Sequence, residues 1–161
     1  MTKELQFKDL YTAHYSKVIR LCLGYTNGRE EKAKDLTQEV FIKIWQNLDK
    51  FRSEANISTW IYRITVNTCL QELRKKKVVP LEIDLASHEI ISSNNDEIRY
   101  KKMYECINKL SADNKTIIFL ELEEVPQAEI AEITGYSHQA IRTRIHRIKE
   151  QLSKCVTDGG I

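Results

Sequence analysis

Apolar positions in this chain recur at helical spacing and show no strand-like alternation. Phe7, Leu10, Tyr11, Tyr15, Val18, Ile19 and the run Leu21 to Leu23 predict an amphipathic helix that stops at Thr26-Asn27-Gly28. In the next segment Ala33, Leu36, Val40 and Ile44 fall at i, i+3, i+7 and i+11, widened by Phe41, Trp45 and Leu48. Arg52 to Asn56 break the pattern. It resumes at Ile57, Ile61, Ile64 and Thr68, with Trp60, Leu70 and Leu73 adding bulk, and ends in Arg74-Lys75-Lys76-Lys77, where positive charge suits a helix carboxyl terminus. Residues 78–95 lack periodicity and carry Pro80, Asp84, Ser87, Ser92, Ser93, Asn94 and Asn95, the composition of a linker. Beyond it, Ile98, Met103, Ile107 and Leu110 mark one helix. Ser111-Ala112-Asp113 opens another, apolar from Thr116 to Leu122. The pattern therefore predicts an all-α fold of two small helical domains, 1–77 and 96–161, joined by the linker 78–95.

The carboxyl-terminal pattern is more specific. A short helix from Pro126 to Ile133 ends in Thr134-Gly135-Tyr136, and Ser137 is placed to cap a new helix. Short helix, glycine-containing turn and second helix form the helix-turn-helix plan, whose second helix enters the DNA major groove. In that helix Ile141, Ile145, Ile148 and Leu152 make the packed stripe, which turns Gln139, Arg142, Thr143, His146 and Arg147 outward. Arginine bonds guanine edges bidentately and glutamine suits adenine, while Arg144 or Lys149 could hold phosphate. A basic helix alone would most simply be a solvated surface; the preceding helix and turn favour the DNA reading.

Composition narrows the class. Five glycines and two prolines in 161 residues, with 30% charged residues, describe a folded helical chain. The net charge of +2 conceals +6 over residues 1–77, −7 over 78–132 and +3 over 133–161, so two basic ends flank an acidic middle. Such an arrangement suits two polyanion-facing surfaces. The opening MTKELQFKDLYTAHYS has no signal-peptide run and no segment approaches a membrane span, so a cytoplasmic protein without membrane insertion is expected. Cys22, Cys69, Cys106 and Cys155 form no CxxC pair and are expected to be buried and reduced; a Cys22–Cys69 bridge is possible but unsupported by spacing. No metal-ligand set and no cofactor motif is present in the sequence, and His146 has no partner at ligand spacing.

The amino-terminal half carries a different chemistry. Asp35, Gln38, Glu39 and Ile42 lie on neighbouring turns, a mixed acidic and apolar patch suited to another protein's helices. Downstream, Phe51, Trp60, Tyr62, Arg63, Asn67 and the basic end interleave aromatics with cations, as single-strand binding requires. The plainer alternative puts Trp45, Trp60 and Phe51 in the core, but Arg63 and Asn67, at i and i+4, do not fit a core role.

These segments, DLTQEVFIKIW, FRSEANISTWIYRITVNT and AEIAEITGYSHQAIRTRIHRIKEQL, in this order and across a linker, resemble the extracytoplasmic-function bacterial sigma factors, from about Phe7 to Leu152. The resemblance implies binding to RNA polymerase core through Asp35, Gln38, Glu39, Phe41 and Ile42. It places Arg52, Ser53, Asn56, Trp60, Arg63 and Asn67 where the family captures an unpaired base of the minus-ten promoter element. Gln139, Arg142, Thr143, His146 and Arg147 fall where the family reads the minus-thirty-five element. It implies a protein that is not an enzyme, and an anti-sigma factor is an expected partner. Ser53 stands where the family often has glycine, Glu124 and Pro126 replace a glycine and a Ser/Thr cap, and Gln139-Ala140 replaces a Gly-Thr pair. The main alternative is a stand-alone helix-turn-helix regulator that binds duplex DNA without polymerase. A nuclease using Asp35 and Glu39 lacks a third carboxylate beside that pair.

Overall fold

The computed structural model describes the backbone of residues 2–52, 56–76 and 95–157 and the side chains of 2–52, 56–75 and 101–157. Among these residues the chain is helical: α1 (Lys3–Tyr25), α2 (Glu30–Asn47) with a 3-10 turn at Leu48–Lys50, α3 (Ile57–Lys76), α4 (Asn95–Asn108), α5 (Ala112–Leu122), α6 (Gln127–Thr134) and α7 (His138–Thr157). The expected linker, up to residue 94, and the side chain of Ile98 lie outside the described residues.

Local chemistry sets the helix ends. Thr2 caps α1 by accepting from the Leu5 N–H at 3.3 Å, and Ser111 caps α5 by accepting from Asn114 N–H at 3.2 Å. Ser137 does the same for α7 through the Ala140 N–H at 3.1 Å. Gly135, at φ 86°, closes α6 in the left-handed conformation that favours glycine, and its N–H returns to the Ala131 carbonyl. Three residues, Gly135 to Ser137, separate α6 from α7, and the two helices pack on each other.

Helices α1, α2 and α3 pack on one another, and α7 packs on α4, α5 and α6. The stripe Ala33, Leu36, Val40 and Ile44 is buried, as is Ile141, Ile145, Ile148 and Leu152. Each large aliphatic side chain so buried contributes roughly 1.5–3 kcal/mol against chain entropy. The two helix groups are not separate. Their cores merge into one buried cluster, because α3 packs on α6 and α1 meets α5.

Three details differ from the sequence expectation. Met103 and Leu122 are exposed, since Cys106 and Ile107 face the core from α4 and the apolar run of α5 turns inward only through Leu120. In α3, Tyr62, Thr65, Val66 and Cys69 are buried beside the expected stripe, so this helix is enclosed on more than one face. The cysteine reading is also corrected: Cys106 on α4 and Cys155 on α7 form a disulfide with Cα atoms 6.0 Å apart. Their separation of 49 residues gave no cue, because the pair meets only when α4 lies along the end of α7. Cys22 and Cys69 are buried free thiols whose sulfurs lie 3.8 Å apart, a contact and not a bridge. The Cys69 thiol is held well above its usual range by its hydrogen bond to Cys22 and by burial.

Candidate functional site

Three surfaces hold the sequence-predicted residues. On α2, the apolar stripe faces α1 and α3, which leaves Asp35, Gln38, Glu39 and Ile42 exposed along the outer side. Ile42 is 50% exposed, a large aliphatic group with no packing reason to sit there. Phe41 is only 4% exposed, and its ring packs against Tyr11 at 4.7 Å and edge-on to Phe7 at 6.2 Å. Gln38, Phe41 and Ile42 line an open groove of about 550 Å³ whose other wall is Phe7, Tyr11 and Tyr15 of α1 and Trp45 of α2. The Lys3 ammonium sits 4.2 Å from the Trp45 ring centroid and pairs with Asp49 at 3.0 Å, covering one end of the aromatic row. The α1 aromatics were missed as part of a site; their spacing at i, i+4 and i+8 was the available signal. Glu39 is drawn toward Lys43, 3.5 Å away, whose ammonium also donates to Thr68 of α3.

The second surface is α3 with the segment before it. Arg52 and Asn56 are exposed, and the Asn56 side chain accepts from the Ser58 N–H at 3.1 Å, starting the helix; Ser53 lies outside the described residues. Trp60 is partly buried with its ring 4.9 Å from Phe51, so these two rings pack on each other and are not separate stacking platforms. Asn67 is exposed. Arg63 is also solvent-exposed, yet its Nη2 donates to the Glu132 carbonyl of α6 at 3.0 Å. Tyr62, expected among the accessible aromatics, is buried, and burial together with the negative charge of Glu123 pushes its hydroxyl up to about 12.

The third surface is α7. Gln139, Arg142, Thr143, His146 and Arg147 are all exposed on the side opposite the isoleucine stripe. Gln139, Thr143 and Arg147 line a shallow depression of about 360 Å³ with Ser137, Ala140 and Arg144. Thr143 donates to the Gln139 carbonyl, and His146 lies 3.3 Å from Glu150. Arg144 and Lys149, expected as possible phosphate ligands, both have partners within the chain. Arg144 stacks over the Tyr136 ring at 4.1 Å and donates to Asn114 at 3.1 Å, while Lys149 pairs with Glu121 at 3.4 Å. Tyr136 in turn donates to Asp113 at 2.7 Å, which raises its hydroxyl above the usual range. This network ties the turn and the first half of α7 to the start of α5.

The arrangement of a helix bundle followed by a helix-turn-helix agrees with known proteins. The family model "Sigma-70 region 2" matches residues 10–78 and "Sigma-70, region 4" matches residues 100–152. The ECF RNA polymerase sigma-E factor of Escherichia coli K12 is 30% identical over 93% of this chain and 86% of its own length. This chain belongs to the ECF sigma factors.

Other relatives of this sigma factor include SigW of Bacillus subtilis, 29% identical over 94% of this chain and 89% of that protein. SigV of the same organism is 30% identical over 84% and 82%. Two solved structures share the fold. CnrH in complex with the cytosolic domain of CnrY matches with a TM-score of 0.74 at 20% identity, covering 96% of this chain and 90% of that one. The sigma factor RpoE in complex with the anti-sigma factor NepR, from Bartonella quintana, matches with a TM-score of 0.70 at 22% identity, covering 94% and 98%. No described helix of this sigma factor is long and apolar enough to cross a membrane.

Proposed function

We propose that this sigma factor binds RNA polymerase core through the exposed side of α2, reads promoter DNA at two elements, and directs initiation at a specific set of genes. Asp35, Gln38, Glu39 and Ile42, with Phe41 supporting the groove wall, form the core-binding patch. Arg52, Ser53, Asn56, Trp60, Arg63 and Asn67 serve the minus-ten element, where an extruded base must be compensated for lost stacking. Gln139, Arg142, Thr143, His146 and Arg147 read the minus-thirty-five element in the major groove. The functional units are 1–77 and 96–161 with the linker 78–95. The protein works in the cytoplasm and supplies binding energy and specificity, with the chemistry left to the polymerase.

The observation that carries this reading is the ordered pair of region matches, joined to an α7 face on which all five predicted DNA-reading side chains are free of the core. Control by an anti-sigma factor is part of the proposal, supported by the similarity to the RpoE of the NepR complex. Run-off transcription with purified core polymerase and a promoter library tests it: promoter-specific transcripts are expected. Tight duplex binding with no effect on core would instead establish a stand-alone regulator.

A further inference from the structure

The two cysteine pairs of this sigma factor are built differently. Cys22 and Cys69 are 0% exposed, and their sulfurs remain thiols although only 3.8 Å apart. Cys106 and Cys155 are bridged. Burial within that bridge is uneven: Cys106 on α4 is 2% exposed, whereas Cys155, in the last turn of α7, is partly exposed. An external thiol therefore reaches Cys155 more readily than any of the other three sulfurs. What the bridge holds is local as well. The main packing partner of α4 is α7, so the bridge is the covalent part of a clamp between α4 and the carboxyl end of α7. The amino-terminal half of α7 has different ties. Tyr136, just before it, donates to Asp113, Arg144 donates to Asn114, and Lys149 pairs with Glu121, all three partners on α5.

We propose that the Cys106–Cys155 bridge is an exchange site for low-molecular-weight thiols, attacked at Cys155, and that exchange there loosens α4 while leaving the DNA-reading half of α7 in place. The inference rests on the cytoplasmic, promoter-reading assignment proposed above. In a reducing compartment a disulfide is made and broken by exchange and is not kept as a permanent brace. An external thiolate attacks the Cys155 sulfur, the sulfur–sulfur bond of the bridge breaks, and its electron pair leaves on Cys106, which takes up a proton. A second thiol displaces the first from Cys155. Two external thiols have then become one external disulfide, and the chain has gained two electrons and two protons as two thiols. The reverse, with an external disulfide as oxidant, rebuilds the bridge and returns two thiols. Reduction removes the restraint on excursions of α4, which then opens as a local unit. Gln139 to Arg147 stay held, because their ties to α5 lie on the far side of α7 from the bridge along its length.

Glutathione buffers, with thiols trapped by alkylation and located by mass spectrometry, test the chemistry on the full chain. The native wild type is expected to exchange between bridged and dithiol forms, with its first glutathione on Cys155 and with Cys22 and Cys69 unmodified. Cys106→Ser is expected to take up glutathione at Cys155 about tenfold or more faster than Cys155→Ser does at Cys106. A first adduct on Cys106, equal rates in the two variants, earlier reaction of Cys22 or Cys69, or a bridge that resists millimolar glutathione would overturn the exchange site. Amide hydrogen exchange of the wild type, bridged and reduced, tests the clamp. Amides of α4 are expected to exchange about tenfold or more faster after reduction, with Gln139 to Arg147 unchanged. An unchanged α4, or equal acceleration along all of α7, would overturn the local loosening. Neither measurement involves transcription, so failure of the run-off assay would defeat the sigma-factor reading and leave both results standing.

Discussion

Helices α3 and α7 are equal in length, 20 residues each, and each carries one set of proposed DNA contacts, yet they are built on opposite principles. In α7 the stripe Ile141, Ile145, Ile148 and Leu152 is buried, Arg144, Lys149 and Cys155 tie the helix to its neighbours, and the five proposed readers stay exposed. Reading and folding are separated by face. In α3 the buried set includes Ile61, Tyr62, Thr65, Val66, Thr68 and Cys69, and the exposed Arg63 is bonded to another helix. Here the packing and the proposed DNA contacts interleave, and availability of the surface depends on where the second half of the molecule lies. An amphipathic reader can be altered on one face without touching the fold, whereas a helix enclosed on several faces cannot.

The strongest way to break this comparison is in the core of α3. Ile61→Ala removes a side chain that is 1% exposed, and is expected to cost about 2–5 kcal/mol in denaturant unfolding. Because the two cores are merged, a single transition should shift; two separate transitions, with only one moved, would show that the halves fold independently.

Next is the staple on α7. Reducing the Cys106–Cys155 disulfide frees a loop of 49 residues, for an expected loss of about 2–4 kcal/mol in stability. The melting temperature with and without dithiothreitol measures it, and the Cys106→Ser/Cys155→Ser variant should melt low in both conditions. Identical melting of wild-type protein in both would show that the bridge carries no stability.

Smaller effects separate the two readers. Arg147→Ala is expected to lose about 1–3 kcal/mol of promoter affinity and to relax sequence preference, with thermal stability unchanged because the side chain is exposed. Equal weakening at every sequence would make Arg147 a phosphate contact. Asn67→Ala is expected to spare core affinity and reduce open-complex formation; equal loss of core affinity would remove it from the minus-ten surface. The smallest effect concerns Glu124, which sits at φ 61° in the left-handed region. Glu124→Gly is expected to raise stability by up to about 1 kcal/mol in chemical unfolding, since relief of the steric cost exceeds the added chain entropy. A loss instead would mean that the Glu124 side chain holds the turn.

Much of this was legible beforehand for local reasons. Helix periodicity located the stripes of α2 and α7, and Ser111, Ser137 and Gly135 marked helix ends because caps and left-handed turns depend on a few neighbouring residues. Exposure of Asp35, Gln38, Glu39 and Ile42 followed from the same periodicity. The partners of Arg144 and Lys149 were not legible, since nothing in the α7 pattern shows that Asn114, Tyr136 and Glu121 would engage them. The ring partners of Phe41 were hidden for the same reason: Phe7, Tyr11 and Tyr15 come from α1.

The sequence by itself thus determined the helical class, the two-part plan, the stripe of each well-patterned helix and the family, all properties of short-range spacing or ordered motifs. Tertiary structure alone decided the merging of the two cores, the Cys106–Cys155 bridge, and the pairing of Arg20 with Glu123 and of Arg63 with Glu132. The physical reason is range. Arg20 and Glu123 are 103 positions apart, and a contact of that kind is specified by the shapes of two assembled surfaces, which leave no periodic mark along the chain.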